Sequence, residues 1–287
     1  MKEESGIKDT NNHSLLASRN KMFIGLIGAA IAFSALTVLA PISGDRVFYS
    51  DVLAVIASGS AFALCIQVIY RQKLKELFPR LYASLGLGLG LWFIAELIWA
   101  YYELVGGIEI PFPSVADGFW LAGYIPFAYF LIGILRNFLG ISKSLFLPVL
   151  LSSSVGIVLL GNILLSIYQT ADLTTQDGVV SYILGSAYPI ADMFLIVPAI
   201  AAFIQLRKGM LTFTPWAFIV IATIVFIIAD IGFAYFALVE GMEDMIWVWN
   251  PLYNLGDLAI ASSLLWHKQF FTIDEKKLLR QWQHRNR

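Results

Sequence analysis

The chain has 287 residues, of which 59% are hydrophobic and only 14% are charged, and its net charge is −1. Soluble globular domains carry about 25% charged residues because their surface faces water, so this composition excludes an ordinary soluble protein. The near-neutral charge, with basic residues scattered among loops, gives no reason to expect nucleic acid as a partner. The single cysteine, Cys65, excludes a disulfide framework and a cysteine-based zinc site.

Apolar runs long enough to cross a bilayer occupy most of the chain. Each crossing helix needs about 20 such residues. The fold class expected is all-α, a polytopic membrane protein of about eight transmembrane helices arranged as four repeated hairpins. A polar tail at 1–21 precedes the transmembrane domain at 22–271, and a basic amphipathic tail at 272–287 follows it. The predicted helices are 22–40, 50–70, 81–105, 116–136, 145–168, 179–206, 215–239 and 246–270.

The basic residues predict how the chain is oriented in the bilayer. Lysine and arginine concentrate in cytoplasmic loops, and 18 of the 19 basic residues fall in the two tails and in alternate loops. Only Arg46 falls in a loop on the other side. Both termini are therefore expected in the cytoplasm, with the protein integral to the plasma membrane and the lipid bilayer as its surroundings.

Several acidic residues lie within or beside the apolar runs. A carboxylate at the bilayer centre costs roughly 2.5–3.5 kcal/mol on insertion scales, and it usually faces a bundle interior or a wet cavity. No lysine or arginine occurs in the middle of these runs to neutralise them. The pattern predicts an outward-facing cavity for a cation, a proton or a polar ligand. The candidate binding residues are Glu96, Asp117, Asp192, Asp230 and Asp257, with Asp51, Glu103 and Glu240 nearer the outer boundary.

A structural explanation competes with this functional one. Ser114 and Asp117 have the spacing of a capping box, so Asp117 is equally explained as a residue that anchors a helix start. Pro189 is expected to kink or break the sixth helix, and Ser186 could cap a second half. Aromatic residues at the outer ends are typical of an interfacial belt. Trp99, one turn from both Glu96 and Glu103, is instead a candidate cation–π wall.

An internal repeat is also predicted. The even-numbered helices each have an aspartate near the outer end, and two odd-numbered helices have an acid in a similar place, Glu96 and Asp230. The aspartates are Asp51, Asp117, Asp192 and Asp257. Such repeats place equivalent residues around one interface. Gly86 and Gly90 form a pair of small residues that lets helices pack closely.

The absences bear on the kind of chemistry. The three histidines, His13, His267 and His284, fall outside the predicted membrane interior, so haem, copper, zinc and di-iron sites lack their usual ligands. His267 is expected at the cytoplasmic interface. No lysine lies in the middle of a predicted helix to form a Schiff base, and no serine gives an argument for a histidine-activated nucleophile. No cofactor and no catalytic residues are expected, the protein is not expected to be an enzyme, and carboxylate binding of a metal is left open.

One stretch resembles a known type of module. Pro113-Ser114-Val115-Ala116-Asp117 followed by Trp120-Leu121-Ala122-Gly123-Tyr124 is similar to a motif of multi-helix membrane sensor modules. These precede diguanylate cyclase or histidine kinase domains in bacterial and archaeal signalling proteins. The upstream Glu96 and Trp99 and the hairpin layout are similar too. The resemblance implies a sensory role with Glu96 and Asp117 near the sensing cavity. This chain departs from the pattern because no output domain follows its last helix.

Three functions remain open at this point. The first is a stand-alone sensor or ligand-binding module that signals through a cytoplasmic or membrane protein partner, which the basic tail could contact. The second is a small-solute transporter coupled to protons or cations, with Glu96, Asp192, Asp230 and Asp257 as its relay. The third is a structural subunit of a membrane complex. The ligand and the oligomeric state are left open.

Overall fold

The computed structural model describes residues 21–22, 24–40, 45–71, 77–108, 112–139, 146–170, 173–205, 213–238 and 247–270. This part of the chain is helical, without a β-strand, as the sequence predicts. Its helices are α1 (Ile24–Ala40), α2 (Arg46–Arg71), α3 (Leu77–Leu104), α4 (Val115–Ile134, continued by a π-helical turn Leu135–Leu139), α5 (Phe146–Thr170), α6 (Gln176–Gln205), α7 (Phe213–Leu238) and α8 (Asn250–Phe270). The predicted tails at 1–20 and 272–287 and the acid Glu240 lie outside the described residues.

The helices have the length and composition of membrane spans. Within the described residues, six of them, α2 to α7, are long and apolar enough to cross a bilayer, whereas α1 is shorter and α8 is less apolar. Helix α8 is long enough, at 21 residues, but it carries Asn254, Asp257 and His267. The chain is thus a polytopic all-α membrane protein, and its eight described helices match the number predicted.

Six of the helices close into a ring. Helix α2 packs against α3 and α8, α3 packs against α4, α4 against α6, α6 against α7, and α7 against α8. Helix α5 packs on the outside of α6, and its side chains are mostly exposed. Helix α1 is exposed along most of its length. Because lipid is as apolar as these side chains, exposed leucine and isoleucine on α1 and α5 carry no penalty in a bilayer.

The two ends of the ring differ in charge. At one end, which we call the acid end, α2, α4, α6 and α8 begin and α3 and α7 finish. Three contacts fix this alignment: the Asn250 amide donates to the Ser50 hydroxyl, and the hydroxyls of Tyr188 and Tyr253 donate to acids of neighbouring helices. The opposite end, the basic end, carries Arg71, Arg80, Arg136 and Lys268.

Polar contacts also close the ring at the basic end. The Lys268 ammonium on α8 donates to the side-chain oxygen of Gln67 on α2 at 2.5 Å, and the Arg71 guanidinium donates to the Lys268 carbonyl at 3.1 Å. His267 is 2% exposed, and its ring centroid lies 5.0 Å from that of Tyr82 on α3. Neighbouring helices therefore bury His267, and its predicted place at the cytoplasmic interface stays a prediction.

A layer of large side chains fills the ring between the acid end and the basic end. Every one of them lies on the basic side of the acid carried by its own helix. Such an interior is close-packed, so it separates the acids from the basic end. We call this layer the floor, and its members are Leu81, Tyr82, Leu85, Leu89, Phe127, Phe130, Leu131, Leu195, Trp216, Ile219 and Ile260.

Glycines allow α3 to approach both of its neighbours. A Cβ atom at Gly86 would lie 2.9 Å from Ile69 of α2, and one at Gly90 would lie 2.9 Å from Phe62 of the same helix. Gly88, on the other face, would place a Cβ 3.1 Å from the Gly123 carbonyl of α4. The packing role predicted for Gly86 and Gly90 is confirmed.

The sixth helix differs from expectation. Helix α6 runs without a break from Gln176 to Gln205, with Pro189 and Pro198 inside it. The prediction of a break is wrong, because one proline removes a single hydrogen-bond donor and the helix continues through it. The alternative of a kink at Pro189 stays a prediction. Ser186 lies within the helix, and its buried hydroxyl has no partner among the described residues, so it caps nothing.

Candidate functional site

Two tyrosines connect two of the predicted acids across the ring. The Tyr124 hydroxyl of α4 lies 2.9 Å from Oδ1 of Asp192 on α6 and 2.8 Å from Oδ2 of Asp230 on α7. The Tyr253 hydroxyl of α8 donates to Oδ1 of Asp230 at 2.6 Å. Tyr124 of α4 therefore contacts one carboxyl from α6 and one from α7. Tyr253 connects a fourth helix, α8, to the same group.

Counting protons shows what this arrangement requires. A phenol carries one proton, so Tyr124 donates to Asp192 or to Asp230 but not to both. The second contact is a hydrogen bond only when the carboxyl supplies the proton to the phenol oxygen. The Asp192–Tyr124–Asp230 arrangement is thus complete when the two carboxyls hold one proton between them, as in other closely spaced carboxyl pairs.

Asp117 has a structural role that the sequence signalled. Ser114 caps α4, and the capping box is complete, with the Ser114 backbone N–H donating to Oδ2 of Asp117 at 2.7 Å. The other carboxylate oxygen of Asp117, Oδ1, accepts a hydrogen bond from the Tyr188 hydroxyl of α6 at 2.8 Å. Both oxygens of Asp117 are occupied, so this residue anchors the start of α4 and ties it to α6.

A second group of acids lies between α2, α3 and α8. Glu96 lies within hydrogen-bonding range of the Trp120 indole and is an electrostatic neighbour of Asp257. Asp51 lies within hydrogen-bonding reach of Glu103 and within electrostatic range of Glu96. Glu96 retains accessible surface, although its neighbours come from α2, α4 and α8. That surface therefore faces the space inside the ring.

The two groups form one continuous site. Tyr188, which donates to Asp117, is also an electrostatic neighbour of Asp230 and Glu96. Each of the six ring helices supplies at least one carboxyl. We call the set the acidic core, and it consists of Asp51, Glu96, Glu103, Asp117, Asp192, Asp230 and Asp257. The structure brings together all five acids that the sequence predicts as binding residues.

Positive charge does not balance the deeper part of the acidic core. The electrostatic neighbours of Glu96, Asp192, Asp230 and Asp257 are other acids, tyrosines and a tryptophan, with no described lysine or arginine among them. At the acid end, Arg46 lies over the Trp247 ring, 5.0 Å from its centroid. A buried carboxylate without a countercharge needs a proton, water or a bound cation to offset its desolvation.

The acidic core is spread out rather than arranged as a metal centre. Within the described ranges, no three histidine, cysteine, aspartate or glutamate side chains come close enough to hold a metal ion. Calcium takes six to eight oxygen ligands at 2.3–2.6 Å, which requires clustered carboxylates.

Aromatic rings line the same end of the ring. The candidate Trp99 lies against Trp120, with centroids 5.4 Å apart, and the Trp120 indole lies within hydrogen-bonding range of Glu96. Trp92 packs against Tyr124 and stacks on Phe127 at the boundary with the floor. Trp99 is thus connected to Glu96 through Trp120, and an aromatic wall beside carboxylates is the usual surrounding of an organic cation.

Sequence reasoning missed the phenols and one amide of the site. Tyr124, Tyr188 and Tyr253 hold the acids in place, and Asn254 is buried beside Asp257. A signal was present, because Tyr188 and Tyr253 each precede an aspartate by four residues. That spacing suggests a pair on one helix, whereas each phenol donates to an acid on another helix.

The fold and the site together define a polytopic all-α membrane protein with an acidic core at one end of a six-helix ring. Comparisons with protein-family models, with curated proteins and with solved structures give no match. The resemblance to membrane sensor modules therefore stays an expectation from the short motif at 113–124.

Proposed function

We propose that this protein is a membrane sensor or ligand-binding module that binds a cation in the acidic core and signals through a protein partner. The observation that carries the proposal is the convergence of carboxyls from all six ring helices on one end, without described basic neighbours for the four deepest acids. A cation bound there contacts several helices at once, so its binding changes the free energy of their relative arrangement.

The floor favours binding over transport. Transport needs the site to open to each side in turn, and the floor fills the ring on the basic side of the acids with residues such as Tyr82, Phe127 and Trp216. Two serines near the floor are engaged by backbone carbonyls. Ser84 donates to the Pro126 carbonyl at 2.8 Å and Ser263 to the Pro215 carbonyl at 2.7 Å.

Proton- or cation-coupled transport is the second candidate, and one observation favours it. The contacts of Tyr124 with Asp192 and Asp230 are short enough to pass a proton between two helices. Such a relay serves a transporter only if it continues to the basic end. Flux measurements separate this candidate from the first, and capture of a stable partner in mild detergent favours a sensor or a structural subunit.

We further propose that the acid end faces outward and that both termini are cytoplasmic, in a plasma membrane. Support comes from the basic residues at the opposite end of the ring, Arg71, Arg80, Arg136 and Lys268, because positive charge collects on the cytoplasmic side.

Cysteine labelling tests this orientation. Ile108→Cys places a thiol at the exposed acid end, and Arg80→Cys places one at the exposed basic end. A membrane-impermeant maleimide is expected to label the first variant in intact cells and the second only after permeabilisation. The native Cys65 is fully buried and gives no background. The reverse labelling pattern would mean that the acidic core opens to the cytoplasm.

Thermal unfolding tests cation binding itself. Purified protein is heated with monovalent, divalent and organic cations, alongside Asp257→Asn and Glu96→Gln. A ligand that binds the folded state raises its stability by about 2.7 kcal/mol at a concentration 100 times its Kd. We expect at least one cation to raise the melting temperature of the wild type and to have little effect on either variant. Asp177→Asn, which changes an exposed acid at the start of α6, is the control and is expected to respond like the wild type.

An unchanged melting temperature in every cation would contradict the proposal. So would equal shifts in the wild type and both variants, because the binding would then lie outside the acidic core. Either result would leave the carboxyls with the structural roles that Asp117 already has.

A further inference from the structure

Asn254 is a buried amide without a partner. It is 1% exposed, and neither its side-chain oxygen nor its side-chain nitrogen has a hydrogen-bond partner in the described structure. An asparagine side chain offers two donors and two acceptor positions. Burying them unused is unfavourable, and native proteins rarely do so without a reason.

The position of Asn254 places it in the acidic core. Residues 250, 254 and 257 follow each other at four and three positions along α8, so they share one helix face. At one end of this face the Asn250 amide donates to Ser50, which precedes Asp51 on α2. At the other end Asp257 is an electrostatic neighbour of Glu96 on α3. Asn254 lies between the two, on the face directed at α2 and α3.

Asp51 lies on the same side of the ring. It is 5% exposed, its Oδ2 atom has no hydrogen-bond partner among the described residues, and Glu103 lies within hydrogen-bonding reach of its carboxyl. The space between α2, α3 and α8 thus has an unused acceptor and unused donors on Asn254, with the carboxyl of Asp51 nearby. A simple metal ion would engage the oxygens but leave the amide N–H groups unpaired.

We propose that this space binds a small protonated amine that also carries a hydroxyl or carbonyl oxygen. The ammonium group donates to the carboxylates of Asp51, Glu96 and Asp257, and the Asn254 amide donates to the oxygen of the ligand. This inference rests on the proposed cation-binding function and names its ligand class. The absence of a three-ligand metal cluster in the described residues agrees with it.

Calorimetry on the full chain in lipid nanodiscs tests the ligand class. The probes are ethanolamine, ethylamine, tetramethylammonium and Ca²⁺. Ethanolamine has the ammonium and the hydroxyl, ethylamine lacks the hydroxyl, and tetramethylammonium lacks N–H donors. We expect ethanolamine to bind about tenfold more tightly than ethylamine, which corresponds to about 1.4 kcal/mol, the scale of one hydrogen bond. Tetramethylammonium is expected to bind more weakly than either.

Asn254→Leu tests the role of the amide. Leucine has a similar size and no unsatisfied polar atoms, so the variant is expected to fold at least as stably as the wild type. Its affinity for ethanolamine should fall to that for ethylamine, while ethylamine binding is unchanged. Asn162→Leu is the matched control, because Asn162 lies on the exposed face of α5, and it should keep the tenfold preference.

The outcomes separate this inference from the proposed function. Binding of Ca²⁺ without binding of the amines would overturn the amine class and leave cation binding in place. Equal loss of ethanolamine and ethylamine binding in Asn254→Leu would overturn the role of the amide. If no cation binds, both the inference and the proposed function fail.

Discussion

Replacing Tyr124 by phenylalanine is expected to lower the unfolding free energy by about 2 kcal/mol. The Tyr124 hydroxyl is the hydrogen-bond partner of Asp192 and one of two phenols that contact Asp230. Side-chain hydrogen bonds within membranes contribute about 0.6 kcal/mol each on average, so the loss of the two Tyr124 contacts alone would account for about half of this decrease. The larger value follows because the substitution leaves two buried carboxyls without the group between them.

The stability is measured by titration with a denaturing detergent in mixed micelles, followed by tryptophan fluorescence. Tyr129→Phe is the control, because Tyr129 is on the same helix and is 57% exposed. It is expected to change the unfolding free energy by less than about 0.5 kcal/mol. Equal stability of Tyr124→Phe and Tyr129→Phe would mean that Tyr124 does not bridge the two acids.

Gly123→Ala is expected to lower the unfolding free energy by about 2–3 kcal/mol. Gly123 lies where α4 meets α3, and a Cβ atom there would overlap the Trp92 indole and lie 3.2 Å from the Gly88 carbonyl. Trp92 is not free to move away. Its indole donates to the Trp120 carbonyl at 2.9 Å, and its ring packs against Phe127 and Phe226.

Gly118→Ala is the matched control for this prediction. It is also a glycine on α4, but it is exposed, and no atom lies within 4 Å of an added Cβ. Alanine has a helix propensity up to about 1 kcal/mol better than glycine, so this variant should be as stable as the wild type or more stable. Both variants are compared in the same detergent titration. Equal stability of Gly123→Ala and Gly118→Ala would contradict the close approach of α3 and α4.

Most of the fold was predictable because a bilayer imposes a simple rule on the chain. Each span must be a continuous apolar run, so helix positions follow from hydropathy, and α7 differs from its predicted range 215–239 by two residues or fewer at each end. The capping box at Ser114 and Asp117 was equally visible, because it is a local pattern of four residues. The predicted fourfold repeat has no comparable support and stays a prediction.

The arrangement of the site was less predictable because it depends on contacts between distant residues. Tyr124 and Asp230 are separated by 106 positions, and nothing local to either residue indicates the other. Helix α8 illustrates a second limit. Length and apolar composition alone leave α8 out of the candidate spans, whereas its polar face carries Asn254 and Asp257 into the ring. The burial of His267 was missed for the same reason, because its neighbour Tyr82 lies on α3.

Uptake of radiolabelled ethanolamine by proteoliposomes tests the central claim, that the acidic core binds a cation and the floor keeps it from crossing. We predict saturable retention that approaches one ethanolamine per protein, does not grow with the internal volume of the liposomes, and is lost in Glu96→Gln. Accumulation that exceeds the amount of protein, scales with internal volume and disappears in Glu96→Gln would contradict this account and establish transport. Retention equal to that of protein-free liposomes would show that the core does not bind this cation.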